Sequence, residues 1–364
     1  MKSESVRVFR VVRGPFLKES IMHQLLNTLY VTTEGAYLHL DHETIKVEVE
    51  RATKFQVPLH HLGGIVCFGN VLVSPFLLHR CAEDGRAVVF LDHHGRFKAR
   101  VEGPVSGNVL LRQAQHLALT NPAKVAAIAR NVVAGKIQNA RQVVLRSARE
   151  ADEPTDVSQL EQCGILLRDA LVDLERSTGL EQVRGIEGTA ARNYFDVFDR
   201  MVRVDREVFR MNGRSRRPPL DRTNALLSFL YTLVLGDCVA ALEGVGLDPQ
   251  VGFLHALRPG RPALALDLIE EFRAVLADRL ALTLINRRQL SPGDFEERAG
   301  GAVYLNETGR KTVVVAYQKR KQDEIQHPVV EQKMPFGLAP HVQARLLARH
   351  LRGDLDQYLP FLYK

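Results

Sequence analysis

Two segments of the chain gather the residue types that metal-assisted chemistry uses. In VGFLHALRPGRPALALDLIEEFR, residues 251–273, His255 occupies a turn-like stretch. Pro259, Gly260 and Pro262 keep that stretch from running on as helix, because proline lacks a backbone donor and glycine relaxes the chain. The helix expected next carries Asp267, Glu270 and Glu271. Spacings of three and four put these carboxylates on adjoining positions of one face, opposite a core-facing stripe of Leu268, Phe272, Val275 and Leu276. Like charges this close cost a few tenths of a kcal/mol per exposed pair, so either the face is solvated or a cation compensates it. One neutral imidazole with two carboxylates makes a hard-leaning donor set that suits Mg2+ or Mn2+, whereas zinc more often recruits Cys or several His.

The second acidic segment is RGIEGTAARNYFDVFDR. Glu187 lies between Gly185 and Gly188 at an expected helix start, where the helix dipole favours a carboxylate and where a Glu is also ordinary. Ala190, Ala191 and Tyr194 follow on that face, and the small residues would let a helix or a DNA strand approach. Basic residues surround both segments: Arg214, Arg216 and Arg217 in NGRSRRPP, Arg258 and Arg261 around the proline-glycine turn, and Lys319, Arg320 and Lys321 in YQKRKQ. Guanidinium forks match phosphate oxygens, although each cluster alone would serve equally as a solvated loop.

These residues need two kinds of scaffold. From Leu29 to about Glu102, short apolar runs (LYVTT, AYLHLD, TIKVEVE, FQVPL, GGIVCFG, RAVVFLD, FKARVE) alternate with turn residues, which predicts a strand-rich domain. One helix, SPFLLHRCAEDG, covers its sheet, with Ser74 as cap, Pro75 first and Gly85 at the end. His93 and His94 fall in an LDHHGR turn. Beyond GPVSGN (103–108) the period changes from two to about 3.6. Asn121 and Pro122 then open a long helix whose cations, including Lys124, Lys136, Arg141 and Arg149, meet no acid before Arg149. Such a single-sign run suits a phosphate backbone as readily as solvent. More helices follow without a repeat, then an AVYLN and TVVVAY pair that could form a hairpin, a last helix near Pro340–Leu351, and an apolar tail. The expected fold is α+β. It comprises a 1–21 extension, a β-rich domain at 22–104 with one packed helix, a linker and first helix at 105–120, and a mainly α-helical catalytic domain at 121–364 with a flexible C-terminal tail.

Composition narrows the function. The 364 residues are 45% hydrophobic, enough for more than one core. A formal charge of +7 favours an anionic partner, while 7% aromatics and no Trp leave little for base-stacking platforms. The four cysteines show no CxxC spacing, no run approaches an uninterrupted membrane-spanning stretch, and the N-terminus lacks a signal-peptide pattern, which together point to the cytoplasm and away from a membrane partner.

In the order and spacing of LLNTLYVTTEGAYLHLD, EGTAARNYF, RSRRPPLDRTNALLSFLYTLV, GFLH and LALDLIEEFR, the chain resembles the universal CRISPR-associated integrase, the "Cas one" family, from about Leu25 to its end. Its start and its RRPP-D-x-x-NALLSF stretch most resemble the subtype I-C branch. The resemblance implies a divalent ion, Mg2+ or Mn2+, held by Glu187, His255 and Glu270, with Asp267 a catalytic neighbour of the ion or its water. It implies a DNA integrase and endonuclease that inserts spacers into a repeat array. The implied partners are double-stranded DNA with single-stranded ends, a second copy through the N-terminal domains, a small ferredoxin-like CRISPR subunit in a heterohexamer-type complex, and an iron-sulfur CRISPR nuclease. Residues 1–21 have no counterpart in the family, and Arg222 follows Asp221 where many relatives carry proline. For DNA contact the expected residues are Lys136, Arg141, Arg214, Arg216, Arg217, Arg258 and Arg261. A non-catalytic DNA-binding scaffold is the rival reading, and a helical protein-interaction module a third.

Overall fold

The structure, a computed structural model, describes residues 8–9, 28–31, 33–92, 97–101, 103, 109–211 and 213–363. Most of the 1–21 extension, the His93–His94 turn and the 104–108 junction lie outside them. The chain divides into two compact units, residues 1–106 with 306–323, and residues 107–305 with 324–364.

All seven expected strand runs are strands. The first unit contains β1 (Val8–Phe9), β2 (Thr28–Val31), β3 (Tyr37–Asp41), β4 (Thr44–Val49), β5 (Ala52–Pro58), β6 (Gly64–Phe68), β7 (Leu72–Val73), α1 (Pro75–Glu83), β8 (Ala87–Leu91) and β9 (Phe97–Val101). One sheet runs β1-β2-β6-β8-β9 and the other β5-β4-β3-β7. β6 pairs in parallel with both β2 and β8, which explains its unbroken GIVCF run, because a central parallel strand is covered on both faces. β4 alternates instead, burying Ile45 and Val47 and leaving Lys46 and Glu48 outward. α1 starts as expected, with Ser74 Oγ accepting from Leu77 N at 3.3 Å and Pro75 in its first turn.

The second unit contains α2 (Val109–Ala118), α3 (Pro122–Glu150), α4 (Pro154–Arg176), α5 (Leu180–Asp196), α6 (Arg222–Gly244), α7 (Ala263–Phe272), a π-helical turn (Arg273–Asp278) and α8 (Arg279–Asn286). After them come β10 (Phe295–Arg298), β11 (Ala302–Leu305), β12 (Glu324–Gln326), β13 (Lys333–Pro335) and α10 (Ala339–Arg352). Asn121 caps α3 by accepting from Lys124 N at 3.1 Å, and α3 packs against α4, α5 and α7. α6 meets the length and composition of a membrane span at a mean hydropathy of 2.0 over its most apolar window, yet 56% of that window is buried inside the protein. It packs against α7, α10 and β11 as a core helix.

Two expectations change. AVYL does pair, but with FEER of β10, while TVVVAY lies within a helix, α9 (Glu307–Gln322), that belongs to the first unit. Asn306 caps α9 through Gly309 N at 3.0 Å, and its buried Val313, Val314, Tyr317 and Lys321 follow a helical period that a six-residue window conceals. The tail is not loose. Tyr358 and Phe361 are buried, Asn131 Nδ2 donates to Tyr358 O at 2.7 Å, and Asn139 Nδ2 donates to Phe361 O at 2.8 Å. Gly135 allows this approach, since a Cβ there would stand 2.8 Å from Pro360 Cβ.

The tail also closes over Glu271. Its carboxyl accepts from Phe361 N at 2.7 Å, from Gln343 Nε2 at 2.8 Å and from the Tyr358 hydroxyl. Burial pushes it up to about 8, further than those donors hold it down. With the folded value above the unfolded one, the folded state keeps a proton that the unfolded state releases, so this group's stabilisation is complete below about pH 4.5 and is lost as pH rises towards 8. We expect denaturant titrations of the native chain to lose on the order of 4 kcal/mol over that range through this group, and Glu271→Gln to flatten the slope. Parallel slopes in the two proteins would mean that Glu271 titrates normally.

Candidate active site

The structure brings Glu187, His255 and Glu270 to one place and gives Asp267 a separate task. Both Asp267 oxygens accept backbone N–H bonds from the loop before α7: Oδ2 from Phe253 N at 2.6 Å and Leu254 N at 3.0 Å, Oδ1 from His255 N at 2.9 Å. His255 Nδ1 lies 2.7 Å from Oδ1. Against a carboxylate oxygen Nδ1 is the donor, which turns Nε2 towards Glu270, the orientation found behind metal-binding histidines. Asp267 is therefore the anchor of the loop, 1% exposed, and has no side open for an ion. Gly252 is part of the same device, for a Cβ there would meet Ala263 C at 2.6 Å and Asp267 Oδ2 at 2.8 Å. Arg184, one turn before Glu187, ties α5 to this loop by donating from Nε to Leu254 O at 2.8 Å.

Glu187 lies well inside α5 and not at its start. Packing of Val183, Ala190 and Tyr194 overrides the cost of the two glycines in the helix, so the dipole argument does not apply, while the space beside Gly185 and Gly188 is open. Glu270 is 2% exposed, and Asp267 and Glu271 are equally buried, which overturns the expectation of an acidic face opposite a core stripe. α7 is buried nearly all round.

Two cations balance Glu270. Arg273 Nη1 stands 3.2 Å from its Oε1, and Lys136 Nζ stands 2.8 Å from its Oε2 while also pairing with Glu187 Oε1. Burial alone would raise the Glu270 carboxyl, but Arg273, Lys136 and His255 outweigh it and hold it at about 2. Arg273 comes from the π turn and lies 5.0 Å from the centre of the Tyr231 ring, with Arg214 at 5.3 Å from the same ring. The Tyr194 and Tyr231 hydroxyls donate to Asp278 at 3.0 and 2.7 Å, and burial raises that carboxyl to about 6. A cavity of about 40 Å³, room for roughly three waters and too small for a nucleobase, runs from Lys136 past Ala190 and Ala191 to Asp278.

The donors do not converge on a single point, and among the described residues no three acidic, His or Cys side chains form a metal cage. Lys136 stands between the carboxylates, and His255 Nε2 is 3.9 Å from Glu270 Oε1. The residues nevertheless fit a hard divalent ion. Glu270 Oε2 is buried with the Lys136 ammonium 2.8 Å away as its ion-pair partner, and His255 Nε2 stands beside the same carboxylate, a set of carboxylate oxygens and one imidazole nitrogen that suits such an ion.

The expected DNA-contact residues divide. Lys136 is engaged by the two carboxylates, Arg141 Nε donates to Gly164 O at 3.0 Å, and Arg214 turns inward, where Asn224 Oδ1 and Ser215 O accept from it. Asn224 also receives Ser215 N, and Asp221 caps α6 through Asn224 N, so this motif organises its own loop first. Arg216, Arg217 and Arg258 are exposed and Arg261 partly so. Sequence reasoning missed Arg184, Gly252 and Arg273. Only the GFLH segment carried a signal, a glycine just before the histidine loop.

A model of the family described as CRISPR associated protein Cas1 matches residues 29–319. The chain belongs to the Cas1 family. It is 64% identical over 343 residues to a CRISPR-associated endonuclease Cas1 of Moorella thermoacetica, covering 94% of this chain and all of that one. A casposase bound to integration product shares the fold at a TM-score of 0.78 and 21% identity, over 92% of each chain. So does a chain of a Cas6-RT-Cas1–Cas2 complex, at 0.80 and 23%, over 95% of this chain and 37% of that one. This Cas1 fold places a β-rich unit before the helical region that holds His255.

Asp267→Asn tests the anchor. It replaces an acceptor of several buried N–H groups, and we expect a loss of about 3 kcal/mol in urea unfolding together with a mixed His255 tautomer in long-range 1H–15N spectra. Unchanged stability and a single Nδ1–H tautomer would show that the loop holds itself.

Proposed function

We propose that this chain is a metal-dependent DNA integrase and endonuclease that joins short DNA fragments to a CRISPR repeat array. The observation that carries the reading is the meeting of Glu187 and the buried Glu270 across one ammonium, with His255 Nε2 turned towards Glu270 at 3.9 Å. A divalent ion, Mg2+ or Mn2+, held by those three residues would supply Lewis acidity at a scissile phosphate and lower the pKa of an attacking hydroxyl.

The chain's own residues do the rest. Asp267 fixes the imidazole, Arg273 keeps Glu270 ionised, and Arg216, Arg217, Arg258 and Arg261 present guanidinium groups to phosphate oxygens. The reaction is a transesterification: the 3′-hydroxyl oxygen of the incoming fragment forms a bond to phosphorus, the repeat-strand P–O3′ bond breaks, and the proton lost by the attacking hydroxyl is balanced by protonation of the released 3′ oxygen. With water as nucleophile the same site hydrolyses. The family resemblance extends the reading to a cytoplasmic homodimer that works with a small ferredoxin-like subunit and, in the subtype I-C branch, with an iron-sulfur nuclease.

A disintegration assay on branched DNA with Mg2+ or Mn2+ tests the chemistry. Glu187→Ala, His255→Ala and Glu270→Ala should each lower strand rejoining by at least 100-fold with DNA binding retained. Full activity in any one of them would remove that residue from the site, and binding without rejoining in the unaltered protein would favour a scaffold. Exchanging Arg216 and Arg217 for Ala should reduce the salt slope of DNA binding by about one to two units, evenly across sequences. An unchanged slope would exclude phosphate contact there.

A further inference from the structure

Lys136 is the residue whose place is most unlike its sequence context. It comes from the acid-free run of α3, yet its ammonium pairs with Glu187 Oε1 and lies 2.8 Å from Glu270 Oε2, the two oxygens that face an ion on the reading above. With Arg273 against Glu270 Oε1, two fixed positive charges already balance these two carboxylates. A divalent ion on the same oxygens leaves the cluster with excess positive charge and with Lys136 directly against the ion. A lysine side chain is a point charge on a flexible four-carbon stem and relieves that conflict by moving. The cavity that Lys136 lines beside Ala190 and Ala191 offers it room, and Arg216 lies on the same wall.

We propose that Lys136 is the resident counter-cation of this site. The ammonium and a divalent ion compete for Glu187 and Glu270, so that ion binding hands Lys136 to a DNA phosphate and thereby couples the two ligands. By linkage, the ion tightens DNA binding by the same factor by which DNA tightens ion binding. The inference rests on the divalent-ion reading of the site.

Mn2+ titration by calorimetry on the full chain, with and without duplex DNA, tests it in the unaltered protein, in His255→Ala and in Lys136→Met. We expect Mn2+ binding that His255→Ala abolishes, affinity about tenfold tighter in Lys136→Met, and Mn2+-dependent tightening of DNA binding that Lys136→Met loses. A merely structural lysine would weaken the site when removed. Equal or weaker Mn2+ affinity in folded Lys136→Met overturns the proposal and leaves the ion site standing, whereas absence of Mn2+ binding in the unaltered protein overturns both. If Lys136→Met does not fold, acetylation of Lys136 in the unaltered protein, followed by mass spectrometry, decides: Mn2+ should accelerate it several-fold, and an unchanged rate refutes the exchange.

Discussion

The constraint on which this structure depends is the burial of an ionised carboxylate. Glu270 is removed from water on a helix that is itself buried on nearly every side. An unpaired charge in that position would cost several kcal/mol, so the surrounding elements supply cations from two directions. α3 brings Lys136 and the π turn brings Arg273. The π turn belongs to this solution: widened turns of this kind recur at functional sites, and here one continues α7 while carrying both Arg273 and the Asp278 that accepts from two tyrosines. The helical unit is thus organised around charge compensation as much as around apolar packing.

Glu270 and Glu271 show how completely environment decides the chemistry of a side chain. They are neighbours on one helix and both are out of water, yet one is held near 2 and the other is raised to about 8. The difference lies in what faces them. Glu270 meets formal positive charges, which stabilise the anion more than burial penalises it. Glu271 meets only neutral donors from the tail and α10, which satisfy its oxygens without offsetting the loss of hydration. One acid is therefore fit to hold a cation and the other to hold a proton and a chain end.

Much of this was legible in the sequence, and the limits have physical causes. Strand runs, the Asn121 and Ser74 caps, the break after His255 and the identity of the acids depend on local pattern, which the chain displays directly. The α9 segment reads as a strand because three consecutive valines favour one until the buried Tyr317 and Lys321 are included. Glu187 reads as lying at a helix start because two glycines argue against a helix interior, a local preference that packing against α3 and α4 overrides. The largest gap was orientation. Arg214, Arg141 and Lys136 read as phosphate contacts by residue type alone, and only the folded arrangement shows that their partners lie inside the protein.

That inward turn links the site to the far end of the chain. On α3, Gly135 lies against Pro360 and Glu271, while its neighbour Lys136 reaches Glu187 and Glu270. On α7, Glu271 and Glu270 make the same division from the opposite side. Asn139, one turn further along α3, donates to both Glu271 O and Phe361 O and receives Tyr363 N, which locks the two helices to the tail through one amide. Adjacent residues on two packed helices therefore face two different environments, one a dry clamp closed by neutral donors and the other a charged site with access to solvent. The clamp fixes the separation of α3 and α7, and that separation sets how far the Lys136 ammonium stands from the Glu270 carboxylate. A chain end distant in sequence thus belongs to the geometry of the site, which accounts for the buried aromatic residues Tyr358 and Phe361 of the tail.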